Sequence, residues 1–130
     1  VISGDAGRDA LSGGSGHDQI SGGNGDDWIS GGSGNDVLGG DQGRDYLSGG
    51  SGADTFVFGE GDGIDIIRDF DQRGNDAIAL DIDGVDSFDD VLAVATEYRF
   101  GVGLNFGSGD SIFLARNDLD DLSADDFIFA

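Results

Sequence analysis

Gly22-Gly23-Asn24-Gly25-Asp26-Asp27-Trp28-Ile29-Ser30 is followed without a gap by Gly31-Gly32-Ser33-Gly34-Asn35-Asp36-Val37-Leu38-Gly39, and the second nonapeptide repeats the first in type, position by position. Outward from this pair the same register runs from Gly4 to Val57, in six copies that begin at Gly4, Gly13, Gly22, Gly31, Gly40 and Gly49. The sixth position is always aspartate: Asp9, Asp18, Asp27, Asp36, Asp45 and Asp54. The eighth is always apolar: Leu11, Ile20, Ile29, Leu38, Leu47 and Phe56.

Glycines at positions one, two and four permit positive φ, so six residues can form a tight open turn whose carbonyls face a common centre. The last three residues suffice only for a short strand, in which the eighth side chain points to one face and its neighbours to the other. Such a strand is unstable alone. Stacked as a coil, with two repeats per turn, the strands pair and build a continuous interior from one apolar residue per repeat. The fold class predicted is all-β, a parallel β-roll with a loop along each edge.

Stacking places the aspartates of alternate repeats above one another, Asp9, Asp27 and Asp45 in one column and Asp18, Asp36 and Asp54 in the other. Strands stack about 4.8 Å apart, and two carboxylates at roughly 5 Å repel by about 3 kcal/mol at an effective dielectric of about 20. A cation is needed between them. Carboxylate and carbonyl oxygens, with no cysteine and a single histidine, select a hard cation, and a flexible cage of carbonyls suits calcium better than magnesium.

At this point the sequence resembles the RTX, or hemolysin-type, calcium-binding nonapeptide repeat, six times in phase. The resemblance implies Ca2+ between the loops of repeats n and n+2, which gives four sandwiched sites: loops 4–9 with 22–27, 22–27 with 40–45, 13–18 with 31–36, and 31–36 with 49–54. It implies ligation by the six aspartates and by backbone carbonyls of Gly14, Gly16, Gly23, Gly25, Gly32, Gly34, Gly43, Gly50 and Gly52. After Val57 the period disappears, and the stretch around Ile67-Arg68-Asp69-Phe70 and Asn75-Asp76-Ala77-Ile78-Ala79-Leu80 is similar to the roll-closing region of serralysin-type proteases and of mannuronan epimerase R modules. By position, that likeness offers Asp62, Asp65 and Asp69 as further metal ligands, with solvated loop carboxylates as the alternative. The expected total is about four to six calcium ions.

Two domains of the roll are therefore expected, residues 1–57 as the repeat block and residues 58–130 as a β-rich cap. Asp5 and Asp41 replace the second glycine in two copies; aspartate tolerates the left-handed turn, and the two side chains are read as solvated turn residues or as extra ligands. Ser87, with Asp90 three residues on, is expected to cap a short helix through Ala95. Alternation from Tyr98 through Phe100, Val102, Leu104 and Phe106, the Gly107-Ser108-Gly109-Asp110 turn, and Ile112 with Leu114 predict a hairpin. A second capping pair, Ser123 and Asp126, precedes the apolar end Phe127-Ile128-Phe129-Ala130, expected to cover the open end of the roll.

A net charge of −21 argues against nucleic acid or an anionic membrane as partner, and no apolar run approaches the roughly 18 residues of a membrane span. No amino-terminal signal segment is recognised; Val1-Ile2-Ser3 fits positions seven to nine of a preceding repeat, so an upstream domain of the same chain is an expected partner. His17 is read as an exposed loop residue, and without a His-Glu-x-x-His segment no protease activity is expected. Trp28 and Tyr46, both at position seven of odd repeats, are expected to stack on one outer face beside Ala10, either shielding the sheet or forming a contact surface. The function expected is a non-catalytic, monomeric calcium-binding module of a secreted bacterial protein. It folds on calcium after passing the type I secretion machinery, whose uncleaved signal the resemblance places near the carboxyl end. The alternatives are an accessory module that binds an acidic polysaccharide and a structural segment of an adhesin or toxin.

Overall fold

The computed structural model describes residues 1–71 and 75–129; Ala130, counted in the predicted apolar end, lies outside them. Among the described residues twelve strands and one α-helix follow in order: β1 Ile2–Ser3, β2 Ala10–Ser12, β3 Gln19–Asn24, β4 Trp28–Ser33, β5 Val37–Ser51, β6 Thr55–Gly59, β7 Gly63–Ile67, β8 Ala77–Asp81, α1 Phe88–Val94, β9 Ala95–Tyr98, β10 Gly101–Gly107, β11 Asp110–Ala115 and β12 Phe127–Phe129. Sheet A runs β1-β3-β5-β6-β8-β12, parallel throughout. Sheet B runs β2-β4-β5-β7-β11-β10-β9, parallel except for the antiparallel end β11-β10-β9. The long β5 belongs to both sheets because its middle is the loop of the fifth repeat.

Eighth-position residues make the interior. Ile2, Ile20, Leu38, Phe56, Ile78 and Phe127 are successive register partners in sheet A. Leu11, Ile29, Leu47, Ile67, Leu114 and Val102 are the equivalent ladder in sheet B. From Ile20 and Ile29 onward these side chains are buried, while Ile2 and Leu11 at the first turn are partly covered. Through the repeat block each strand thus buries one apolar side chain, while beyond it Phe58, Leu80, Ile112 and Leu104 are buried as well, and neighbouring turns supply the contacts that a single turn lacks.

Loss of the nine-residue period at Val57 is not a break in the roll. Leu47 pairs with Ile67 and Phe56 with Ile78, steps of twenty and twenty-two residues where the repeats take eighteen. The coil continues while its loops lengthen. Lengthening hides the periodicity without disturbing strand register.

The cap differs from the expectation at one place. Tyr98 to Phe106 is not one strand: β9 and β10 form a hairpin with Tyr98 opposite Gly101, and Phe100 sits in the turn, 72% exposed. The alternation read there spans a chain reversal. Its physical reason lies in Gly101 and Gly103, whose missing side chains leave room for the Phe113 and Tyr98 rings lying across them. The predicted caps are present. Ser87 Oγ accepts from the Asp90 backbone N–H at 3.3 Å, and the Asp90 carboxylate reaches back to Asp86 N–H at 2.9 Å, one residue before the helix cap. At Ser123 the N–H donates to Asp126 Oδ2 at 2.8 Å and both halves of the capping box form, over a single 3-10 turn, Ala124–Asp126.

Candidate metal centre

Along each edge, the sixth-position aspartates form a chain of hydrogen bonds. Asp9 N–H donates to Asp27 Oδ1 and Asp27 N–H to Asp45 Oδ1, both at 2.8 Å. On the other edge Asp18 N–H donates to Asp36 Oδ1 at 2.8 Å and Asp36 N–H to Asp54 Oδ1 at 2.9 Å. One carboxylate oxygen of every aspartate beyond the first turn is therefore fixed by the backbone of the turn before. The second oxygen, Oδ2, of Asp9, Asp18, Asp27, Asp36, Asp45 and Asp54 is buried with no hydrogen-bond partner.

First-position glycines explain where that oxygen lies. A β-carbon built on Gly22 would stand 2.5 Å from Asp27 Oδ2 and 2.7 Å from the Gly40 carbonyl oxygen; on Gly31 it would stand 2.5 Å from Asp36 Oδ2 and 2.7 Å from the Gly49 carbonyl. The same pairing holds at Gly4 and Gly13. Each of the first four repeats thus brings an orphaned carboxylate oxygen and a carbonyl from the next turn to one small space that only glycine leaves open, while Gly40 and Gly49 meet the carboxylates of Asp45 and Asp54 alone. Among the described residues no three His, Cys, Asp or Glu side chains gather as a metal-holding cluster. A cation held here must draw on backbone carbonyls, as calcium does more readily than magnesium. The carbonyls read from the sequence, at positions two and four, sit against the glycines one turn on, Gly14 O against Gly32 and Gly16 O against Gly34. Of these, Gly14 O also accepts from Ser33 N–H at 2.8 Å.

The electrostatics carry the same message. Burial pushes the carboxyls of Asp27 and Asp54 above the usual range, only partly offset by their backbone donors. Burial, with the charges of Asp27 and Asp26 behind it, raises Asp45 to about 6 against the opposing hydrogen bonds of the Asp27 backbone and Asp65. Ionised carboxylates without a counter-charge are costly to keep inside a protein. A divalent cation removes that cost, and the donor set fits calcium.

Beyond the repeats, Asp65 stands opposite Asp45 in the register. It is fully buried with an orphaned Oδ1, and burial, then Asp45, pushes it up to about 9. It extends the odd column by one member. Asp62 lies on the same edge, where its Oδ2 accepts from Gly59 N–H at 2.7 Å. Asp69 is on the other edge and clasps the last repeat loop, accepting from Ser48 Oγ, Gly49 N–H and Gly50 N–H at 2.8–2.9 Å. Two residues escaped the sequence reading. Asp76 continues the even column, its Oδ1 accepting from Asp54 N–H and its Oδ2 from Asp71 N–H, both at 2.9 Å; burial raises it to about 6. Asp110 caps the 59–63 loop, accepting from Gly61 and Gly63 N–H at 3.0 Å. Asp76 was legible: Asp76-Ala77-Ile78-Ala79-Leu80 has the alternation of Asp54-Thr55-Phe56-Val57-Phe58. Asp110 has no such signal, since a fold-back strand brings it in.

Asp5 and Asp41 have φ of 70° and 64°, in the left-handed region that the missing glycine would have occupied. Their carboxylates serve the turns: Asp5 accepts from Ser3 Oγ at 3.1 Å, and Asp41 from Ser21 Oγ and Gly23 N–H. His17 is exposed, and its Nδ1 accepts from Asn35 N–H at 2.8 Å. Asn35 Oδ1 accepts from Ala53 N–H at 2.9 Å and Asp26 Oδ1 from Arg44 N–H at 3.0 Å, so the fifth position forms a side-chain ladder along the loops.

A two-sheet parallel roll edged by glycine turns, with one orphaned carboxylate oxygen per repeat, defines a calcium-binding solenoid. The chain belongs to the RTX calcium-binding nonapeptide repeat family, whose four-copy profile matches residues 3–38 and 31–65. The AlgE6R3 subunit of the Azotobacter vinelandii mannuronan C5-epimerase is similar at 30% identity and a TM-score of 0.68, over 97% of this chain and 80% of that one. The extracellular lipase LipA from Serratia marcescens shares the fold at a TM-score of 0.81 and 24% identity over 95% of this chain, which spans 20% of the lipase. No curated protein matches the chain in sequence. Among the described residues no helix is long and apolar enough to cross a membrane.

Proposed function

We propose that this chain is a folding module of a larger secreted protein, expanded without calcium and condensed into the roll when calcium is supplied outside the cell. The RTX repeat itself is a non-catalytic calcium-binding unit. The ligands proposed are Asp9, Asp18, Asp27, Asp36, Asp45 and Asp54 with the loop carbonyls around them, joined by Asp65, for four to six ions. Residues 58–130 close the roll behind the repeat block. The observation that carries this reading is the set of buried, partnerless aspartate oxygens, one in every repeat.

Several features support the setting. The likeness to an extracellular lipase agrees with a secreted module that occupies a fraction of its parent chain, and a net charge of −21 agrees with a chain that stays expanded until cations neutralise it. Affinities of about 10⁻⁴ to 10⁻³ M are typical of extracellular calcium modules. Passage by the type I route and a monomeric state complete the proposal.

Flow dialysis of the intact chain tests it. Four to six calcium ions are expected to bind at millimolar concentration, with a lower number for Asp36→Asn, whose carboxylate lies between two turns of its column. Absence of saturable binding, or binding indifferent to this substitution, would sink the assignment.

A further inference from the structure

We propose that the peptide joining Asn24 to Gly25 is a spontaneous deamidation site that the roll holds shut, so that a chain left unrolled converts Asn24 to aspartate and isoaspartate and loses the turn that carries Asp27. The proposal rests on the folding switch described above only for the conditions under which the site opens.

The chemistry is local. Asn24-Gly25 is the one Asn-Gly pair in the chain. In a flexible chain the Gly25 amide nitrogen, unscreened by a side chain, gives up its proton and attacks the carbonyl carbon of the Asn24 side chain. The new C–N bond closes a succinimide ring and ammonia leaves. Water then opens the ring, giving aspartate when it attacks one carbonyl and isoaspartate when it attacks the other. The net change is amide to acid, with water consumed and ammonia released.

Stacking dictates the second residue of the pair and leaves the first to choice. A β-carbon on Gly25 would stand 2.0 Å from the Gly7 carbonyl oxygen, so the fourth position of this repeat must be glycine. The third position is permissive, since Ala6, Ser15, Ser33, Gln42 and Ser51 stand there in the other repeats. The third repeat alone joins asparagine to that glycine. Its side chain is exposed, so water reaches it.

In the roll the reacting peptide is pinned from both sides. Asn24 N–H donates to the Asp5 carbonyl at 2.7 Å and the Asn24 carbonyl accepts from Gly7 N–H at 2.8 Å, both in the turn before. Gly25 N–H donates to the Gln42 carbonyl at 2.8 Å, in the turn after. Ring closure rotates this peptide plane and removes the proton that Gln42 holds, so it breaks the bonds to both turns. The loop must open before it reacts. Opening is fast against so slow a cyclisation, and the conversion rate therefore measures the open fraction.

The isoaspartate product does not fit the stack. It lengthens the main chain by one methylene where Asn24 pairs with Gln42 in register and where Gly25 backs onto the Gly7 carbonyl. Farther along the same loop, Asp27 is tied to both neighbouring turns, its Oδ1 accepting from Asp9 N–H and its own N–H donating to Asp45 Oδ1, both at 2.8 Å. A longer turn cannot keep both ends in register. Damage acquired in the unrolled chain thus blocks its return to the roll.

The test incubates the whole chain at mildly alkaline pH in calcium, in chelator, and in calcium with enough urea to unfold it. Circular dichroism reports the fold of each sample and fragmentation mass spectrometry the state of residue 24. Conversion is expected to be at least about tenfold slower in calcium alone than in urea, with the chelator sample behaving like the urea sample. Aged chain returned to calcium is expected to recover less strand content in proportion to its isoaspartate, whereas Asn24→Ser, which carries the residue found at Ser33 one repeat on, ages without that loss. Equal conversion in the rolled and the urea-unfolded chain, or full recovery of strand content by isoaspartate-bearing chain, would overturn the proposal. Slow conversion in chelator by a chain still rolled there would uphold the clamp at Asn24 and overturn the calcium switch instead.

Discussion

At the scale of single residues, the glycines and aspartates of the repeat answer to different forces. Gly31 is required by space, since a β-carbon there would press on Asp36 Oδ2 and the Gly49 carbonyl. Gly32 is required by conformation as well, at φ +101° and against the Gly14 carbonyl. Gly32→Ala is expected to cost more than about 1 kcal/mol of folded-state stability, measured by denaturant unfolding in saturating calcium. Asp36→Asn keeps the shape and removes the charge. It is expected to raise the calcium midpoint of folding about tenfold or more, the scale by which even indirect changes weaken metal sites. The buried carboxyls also set a pH dependence for the calcium-free chain. Asp65 at about 9, and Asp45 and Asp76 at about 6, lie above the roughly 3.9 of an unfolded aspartate. Protons therefore stabilise the fold: their contribution is full below about pH 4 and is lost as pH rises through 6 and then 9. In chelator the chain is expected to be more expanded at pH 8.5 than at pH 5, read as lower strand content by circular dichroism, and in calcium the midpoint is expected to rise as pH falls below about 6, because protons and calcium compete for the same oxygens. Equal strand content in chelator at the two pH values would contradict the buried-carboxylate account.

At the scale of elements, strands made by the repeat were legible because period and side-chain direction are coupled. Once the eighth position faces inward, Ile20, Leu38 and Phe56 must stack. Legibility failed where loops changed length and where chains folded back. The step from Phe56 to Ile78 hid the continuing roll, so Asp76 was missed although its own segment alternates like the one before it. The hairpin between β9 and β10 was hidden because its turn residue, Phe100, falls on the same alternation as the buried Val102 and Leu104. The carboxyl-terminal strand β12 pairs with β8 through Phe127 and Ile78, and Phe127 packs against Phe88 of α1 and Phe129. Phe127→Ala is expected to cost about 3–5 kcal/mol, read by thermal or urea unfolding in calcium. A cost near zero would show that β12 does not close sheet A. Ser87→Ala, which removes the acceptor for Asp90 N–H, is expected to cost about 1 kcal/mol in the same assay.

At the scale of the whole molecule, the roll is a thin-cored solid that internal charge would otherwise push apart. Each turn of the repeat block contributes one apolar side chain per sheet, and each edge stacks carboxylates at strand spacing, so hydrophobic burial and column repulsion oppose each other turn by turn. In the proposed function, neutralising the columns tips that balance along the entire repeat block at once, so folding is expected to be cooperative in the cation, with binding to the folded state alone adding stability at every site. The most direct test is far-UV circular dichroism of the intact chain, titrated at pH 8 from chelator to 10 mM calcium, with magnesium as the parallel control. The account predicts a cooperative transition from coil to strand in calcium and none at equal magnesium. Full strand content with cooperative melting in chelator would contradict it.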